Sequence, residues 1–142
     1  MSIPSHQTVI FFDAYCGFCD RVVALLLPYA KESRFLFAPL GGKTFGALKV
    51  RYPALTGIDS VVLIENFGDL SNERALVKGH AVLSILNRLP SAWRLLRVLI
   101  LFMPAMMRDF LYDCVARNRW RLAGRRESCR VPAPADLDLF LP

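Results

Sequence analysis

The sequence predicts an α/β fold whose strands and helices follow the order β-α-β-α-β-β-α, with two further helices after it. Short β-rich runs alternate with helical stretches over residues 1–89, and a turn composition separates two of those runs. Residues 90–142 have the pattern of two helices and an irregular tail. At 142 residues and 54% hydrophobic, the chain can bury one core. We therefore expect a single domain, 1–142, with residues 90–142 packed on a core formed by 1–89.

The first three elements form a β-α-β unit. Residues 8–13 and 34–38 are short and rich in β-forming side chains, and residues 16–30 between them make a helix that is nearly all apolar. Pro28 is expected to bend or shorten this helix at its last turn, and the Pro-Leu-Gly-Gly sequence at 39–42 closes the second strand.

The next elements complete the pattern. Residues 44–51 predict a short helix, and residues 60–65 and 73–78 predict two strands that flank a turn at 66–69. Residues 79–89 carry apolar side chains at helical spacing. This order is that of the thioredoxin fold, whose first helix begins at the C-terminal edge of a central strand. We predict a thioredoxin-like fold with a C-terminal two-helix extension.

The two helices of the extension are predicted at residues 91–103 and 105–124. Residues 98–107, which run from the first of these helices into the second, are uncharged, but ten residues interrupted by Pro104 are too few to span a bilayer. We predict a buried core helix here. The mean hydropathy of +0.35 leaves one alternative open, in which this helix lies in a bilayer surface with its arginines at the headgroups.

Positive charge is concentrated in the extension. Residues 88–130 carry ten arginines against three acidic side chains, a net charge of +7, whereas residues 1–87 carry +1. Arginine suits bidentate pairing with carboxylates or phosphates, so an acidic protein surface or anionic lipid is a candidate partner. Alternatively, the arginines form helix pairs, such as Asp113 with Arg117, or are solvated. Nucleic acid is disfavoured because no motif interleaves aromatic residues with the arginines.

Two cysteines stand where the first strand gives way to the first helix. At a helix N-terminus the positive end of the dipole favours a thiolate, so we expect Cys16 to be exposed and to act as the nucleophile. Cys19, buried one turn later, would resolve the mixed disulfide. Asp13 either relays a proton or shapes the loop through hydrogen bonds. Tyr15 and Phe18 are expected to wall the thiols.

Other uses of the cysteines stay open. Zinc could bind if Cys16, Cys19, Cys129 and one more ligand converge, although there is no second CxxC motif and neither histidine stands at a ligand spacing. The pair could also be purely structural. Cys129 could form a second-stage disulfide with the pair or be buried. Cys114 is expected in the core of its helix. Our leading prediction includes no metal and no bound cofactor.

The N-terminal segment does not have the composition of a signal peptide, so a reducing, cytoplasmic location is expected. In that compartment a CxxC pair is more often catalytic or sensing than a permanent disulfide.

Three blocks of the chain resemble the DCC family of predicted thiol-disulfide oxidoreductases. The first is Asp13-Ala14-Tyr15-Cys16-Gly17-Phe18-Cys19, which matches the Asp-x-x-Cys-x-x-Cys signature that names the family. The second comprises residues 60–65 and 81–89. The third, at the C-terminus, comprises Arg108, Asp109, Tyr112, Asp113, Ala116, Asn118, Arg119, Gly124, Cys129 and Pro132.

The resemblance implies a thioredoxin-like fold and dithiol-disulfide activity on a protein disulfide or a small thiol, with an external reductant. Arg108, Asp109, Tyr112, Asn118 and Arg119 could be catalytic, but we favour their anchoring the added helix. Thioredoxins bind substrate at a cis-proline before the third strand, and residues 57–61 here contain no proline. The competing prediction is a non-catalytic module whose arginine-rich helices bind an acidic partner or make peripheral contact with a membrane.

Overall fold

A four-stranded mixed sheet forms the centre of the molecule. The structure, a computed structural model, describes residues 6–125, 127 and 131–142. The strands are β1 (Thr8–Phe12), β2 (Phe35–Pro39), β3 (Val62–Glu65) and β4 (Arg74–Val77). In the sheet order β2-β1-β3-β4, β1 pairs in parallel with β2 and antiparallel with β3, and β3 pairs antiparallel with β4. The order of elements confirms the predicted thioredoxin-like fold.

Six α-helices accompany the sheet within the described part of the chain, and every predicted helix is present with bounds shifted by a few residues. The long first helix is divided as expected: it ends at Leu26, and a 3-10 turn, Leu27–Tyr29, contains Pro28, which has no N–H to continue the helical hydrogen bonds. The helices are α1 (Gly17–Leu26), α2 (Ala30–Ser33), α3 (Lys43–Arg51), α4 (Lys78–Arg88), α5 (Arg94–Phe102) and α6 (Ala105–Ala123).

The core lies on the two central strands. Every residue of β1 is buried, as expected for a strand covered on both faces, and Val62, Leu63 and Ile64 of β3 are completely buried beside it. Helix α1 contributes Val23 and Leu26 to this core. Because β1 and α1 are both fixed by this packing, the short turn between them, which carries the CxxC motif, is held at one end of the sheet.

The prediction that residues 98–107 form a buried core helix is wrong. Helix α5 has no buried residue, and Leu99 and Phe102 expose 58% and 84% of their surface. The reason is that α5 packs on α4, whose inner side already covers the core, so that α5 reaches the core only through Ile100 and the preceding Trp93. Cys114 is half-buried on α6 rather than in the core. Among the described helices, none combines the length and apolar character needed to cross a membrane.

The C-terminal tail pairs with the outer edge of β2. It forms a 3-10 turn, Pro134–Leu139, and Leu139 enters the core. Phe140 then makes a parallel bridge with Phe37, whose carbonyl accepts the Leu141 N–H at 2.8 Å. The tail therefore covers backbone groups that an open sheet edge would expose.

Candidate active site at the start of the first helix

Cys16 is the N-cap residue of α1. The turn after β1 is closed by the Cys16 N–H, which donates to the Asp13 carbonyl at 3.2 Å. The backbone of Cys16 is extended, and its Sγ accepts the Cys19 N–H at 3.3 Å. The sulfur thus takes the place of a capping oxygen at the positive end of the helix dipole, where a negative charge is stabilised.

Cys19 lies one turn later and contacts Cys16. Burial is the main factor that raises the pKa of Cys19 to about 12, followed by the hydrogen bond to Cys16 and the negative charge on that sulfur. The Asp13 backbone and the Arg119 charge act in the opposite direction. At neutral pH Cys19 is therefore a protonated thiol beside the sulfur that caps the helix, and no disulfide joins the two cysteines.

The expected exposure of the two cysteines is reversed. Cys16 is 0% exposed and Cys19 is only half-buried, so the prediction of an exposed Cys16 and a buried Cys19 is wrong. The cause is residues 123–125, which we call the cap segment. The Gly17 N–H donates to the Gly124 carbonyl at 3.1 Å, and Cys16 and Arg125 form an antiparallel bridge. The end of α6 therefore covers the nucleophile that the sequence predicts.

Gly17 makes this close approach feasible. A Cβ atom at Gly17 would lie 2.5 Å from the Ala123 carbonyl oxygen and 3.0 Å from that of Gly124. Real Cβ atoms essentially never approach a heavy atom within 3.0 Å. A glycine between the two cysteines is thus a packing requirement of the covered site.

Asp13 shapes the turn and ties it to α6. Its Oδ1 accepts the Tyr15 N–H at 3.0 Å, and its Oδ2 lies 3.5 Å from the Arg119 guanidinium. Arg119 also donates to the Asp59 carbonyl at 2.9 Å. This is the loop-shaping role predicted for Asp13, while its proton-relay role stays a prediction.

Tyr112 brings α6 against the entrance of β3. Its hydroxyl accepts the Val61 N–H at 2.8 Å. Burial raises the pKa of Tyr112, the Val61 hydrogen bond lowers it, and the nearby Cys19 charge raises it further. Val61 ends residues 57–61, the stretch equivalent to the one at which thioredoxins bind substrate through the backbone beside a cis-proline. No cis peptide bond occurs among the described residues. In this protein the Val61 N–H is already hydrogen-bonded to Tyr112 of the C-terminal extension, close to Cys19.

We expect Tyr112→Phe to lower the free energy of unfolding by about 1–2 kcal/mol, because it leaves the partly buried Val61 N–H without an acceptor. Urea denaturation measures this loss. Tyr29→Phe is the matched control, since the half-buried Tyr29 hydroxyl has no hydrogen-bond partner among the described residues. Equal stability of the two variants would contradict the anchoring role of Tyr112.

The remaining residues of the α6 block are less involved with the dithiol. Asp109 Oδ1 accepts the Gly79 N–H at 3.3 Å, and the Arg108 side chain passes beside Gly79, so both hold α6 on α4. Asn118 donates to the Cys114 carbonyl within α6 itself. Together with Tyr112 and Arg119, these contacts agree with anchoring for every member of the block except Asn118.

Two further sequence predictions concern the surroundings of the site. Asp113 pairs with Lys78 at 3.3 Å rather than with Arg117. Cys129 lies outside the described residues, and no group of three potential metal ligands comes together within the described part of the chain.

An apolar cleft of about 410 Å³ lies between α1 and α6, beside the motif. Phe18 and Leu122 line it from the two helices, together with Val22 and Leu25. Phe18 therefore faces this cleft, and Tyr15, the other predicted wall, is 49% exposed. The apolar run of α1 could be recognised in the sequence as one wall of the cleft. No sequence pattern indicated that residues of α6 form the opposite wall.

Comparison with known proteins places these features in a family. A family model described as DCC1-like thiol-disulfide oxidoreductase matches residues 10–125. A DCC family protein of Arabidopsis thaliana, named as chloroplastic, is 32% identical over 126 residues, which cover 88% of this chain and 70% of the relative. The uncharacterized protein YuxK of Bacillus subtilis is 28% identical over 141 residues, covering 99% and 96%. No solved structure gives a significant match. The matched region runs from β1 through the CxxC motif to the cap segment, and the chain belongs to the DCC1-like thiol-disulfide oxidoreductase family.

Proposed function

We propose that this protein catalyses thiol-disulfide exchange through Cys16 and Cys19, acting on a disulfide in a protein or in a small thiol compound. The observation that carries the proposal is the pairing of a helix-capping sulfur with a neighbouring thiol whose pKa is about 12. One sulfur is poised to attack, and the other keeps its proton until it is needed.

The reaction follows from this asymmetry. The Cys16 thiolate attacks one sulfur of the substrate disulfide, forming a mixed disulfide and releasing the other substrate sulfur, which takes up a proton. Cys19 then loses its proton and attacks the Cys16 sulfur, forming the Cys16–Cys19 disulfide and releasing the second substrate thiol. The substrate gains two electrons, the dithiol loses two, and an external dithiol reductant restores the enzyme.

The second step is helped by the first. In the mixed disulfide Cys16 carries no charge, so the negative charge that raises the pKa of Cys19 is removed. The positive charge of Arg119, which already lowers the pKa of Cys19, remains in place. Cys19 therefore becomes easier to ionise once a substrate is bound covalently, which is when its nucleophilicity is required.

Access to Cys16 requires movement of the cap segment. With Cys16 completely buried under the Cys16–Arg125 bridge, no substrate sulfur can reach it in line. We propose that opening of residues 123–125 precedes attack, and that the protein works in a reducing compartment such as the cytoplasm, where the dithiol is regenerated.

The pH dependence of alkylation by iodoacetamide, followed on the Cys19 peptide by mass spectrometry, tests the proposal. In a Cys114→Ser/Cys129→Ser background, we expect alkylation of Cys19 to stay slow at neutral pH and to rise only toward pH 12. Adding Cys16→Ala should shift this rise to lower pH, because the hydrogen bond and charge of Cys16 are lost. An alkylation profile that Cys16→Ala leaves unchanged would favour the non-catalytic binding module instead.

A further inference from the structure

Helix α5 presents apolar side chains to solvent on nearly every side. Six of its nine residues are exposed large hydrophobic side chains, and Ile100 is the only apolar one that turns toward the core. The exposure continues across the turn at Met103 and Pro104, where Phe102 is 84% exposed and Met106 is 87% exposed. Scattered exposed hydrophobic residues are normal, but a contiguous group of exposed large hydrophobic residues on one helix marks an interaction site.

The same surface is positively charged without compensating carboxylates. Five arginines on these helices form no hydrogen bond or ion pair with any described residue: Arg94, Arg97, Arg108, Arg117 and Arg121. The two carboxylates of α6 already have partners, Asp109 in the Gly79 N–H and Asp113 in Lys78. The outer surface of α5 and α6 therefore combines apolar side chains with unpaired guanidinium groups.

We infer that α5 and the N-terminal half of α6 form an interfacial anchor, lying in the surface of an anionic lipid bilayer. A nine-residue helix is about 14 Å long, far too short to span the hydrocarbon, but suited to lie parallel to the surface with its apolar side below the headgroups. Arg94 and Arg97 lie on α5 among the exposed apolar residues, so their guanidinium groups come level with lipid phosphates.

Charge favours a bilayer over a second copy of the chain. A two-fold dimer through this face would place the patch against itself, so that unpaired arginines would meet arginines. Such like-charge contact opposes association, whereas an anionic bilayer supplies phosphates to the arginines and an apolar interior to α5 in one contact. The inference is independent of the dithiol chemistry, since neither Cys16 nor Cys19 belongs to this surface.

Vesicle co-sedimentation of the full chain tests the inference. We expect binding to vesicles of equimolar phosphatidylcholine and phosphatidylglycerol, and little binding to phosphatidylcholine alone. Leu99→Ser/Phe102→Ser should weaken the binding by roughly tenfold or more. The matched control is Val50→Ser/Leu70→Ser, at positions 82% and 76% exposed elsewhere on the molecule, and it should bind like the wild type.

Two further sets of measurements test the contribution of charge to binding and its independence from the dithiol. Arg94→Gln/Arg97→Gln should reduce binding to the anionic vesicles, and raising the salt from about 0.1 M to about 1 M should do the same, because the Debye length falls from about 10 Å to about 3 Å. Cys16→Ser/Cys19→Ser should bind like the wild type, so a failure of the redox proposal leaves this test unaffected.

Three outcomes would overturn the inference. The first is no binding to the anionic vesicles, and the second is equal binding by the wild type and both the α5 and the arginine variants. The third is a dimer in sedimentation velocity that Leu99→Ser/Phe102→Ser dissociates without any vesicle binding, which would assign the surface to a second copy. Circular dichroism establishes whether each variant is folded. If Leu99→Ser/Phe102→Ser does not fold, Arg94→Gln/Arg97→Gln provides the test instead.

Discussion

Cys19→Ser is expected to accumulate a stable mixed disulfide on Cys16, whereas Cys16→Ser forms none. The reason is that we expect the sulfur at the helix N-cap to attack first, and among the described residues the thiol one turn away is the group placed to release the captured substrate. Both variants should lose turnover completely. Incubation with oxidised glutathione or a disulfide-bonded peptide, followed by mass spectrometry under non-reducing conditions, detects the adduct and locates it.

Cys114→Ser serves as the control for this experiment, because Cys114 is a half-buried thiol on α6 outside the motif. It should turn over substrate like the wild type. If Cys16→Ser trapped substrate as well as Cys19→Ser does, the half-buried Cys19 would be the attacking sulfur, and the assignment of roles would be reversed. The exposure of the two residues makes this a serious test, since only Cys19 reaches the surface in the closed structure.

Gly17→Ala is expected to open the covered site. The new methyl group would lie 2.5 Å from the Ala123 carbonyl oxygen, so the cap segment or α1 must move. Overpacking of this kind costs about 1–3 kcal/mol. If displacement of the cap segment relieves it, the open population rises roughly 5- to 150-fold. The rate at which iodoacetamide alkylates Cys16, followed on its peptide by mass spectrometry, should rise by a similar factor.

Gly46→Ala is the matched control, since Gly46 also lies in a helix and a Cβ atom there meets nothing within 4 Å. It should leave the alkylation rate of Cys16 unchanged. Denaturation of both variants separates local opening from global loss of stability. An unchanged rate in a folded Gly17→Ala protein would mean that the cap segment is not the barrier to Cys16.

The position of the dithiol could be predicted from the sequence because the signals are local. The apolar run of β1, the turn after Asp13 and the apolar helical run of α1 lie within a few residues of each other, and together they place Cys16 at a helix N-terminus. The cap segment gave no such signal. Its contact joins Gly17 to Gly124, which are far apart in sequence, so the burial of Cys16 depends on tertiary packing that periodicity does not encode.

The error at α5 has a different origin. Hydrophobic composition predicts that a helix will be covered, but it does not specify by what. The pattern of residues 98–107 was therefore interpreted as core, although α4 already occupies the position against the sheet. The hydrogen bonds of Tyr112 and Arg119 with residues 59–61 could not be predicted from the sequence either, since both join a side chain to a backbone group that is distant along the chain.

The docking of the tail on β2 limits how Cys16 can be approached. The cap segment continues from α6 on one side, and on the other a short stretch of chain leads to the turn at Pro134 and the Phe37–Phe140 bridge. Because α6 precedes the cap segment and the docked tail follows it, we expect the cap segment to loosen rather than to swing away as a free terminus does. We therefore expect the disulfide of a small thiol compound or of an unfolded peptide to reach Cys16 more readily than a disulfide held inside a rigid globular domain.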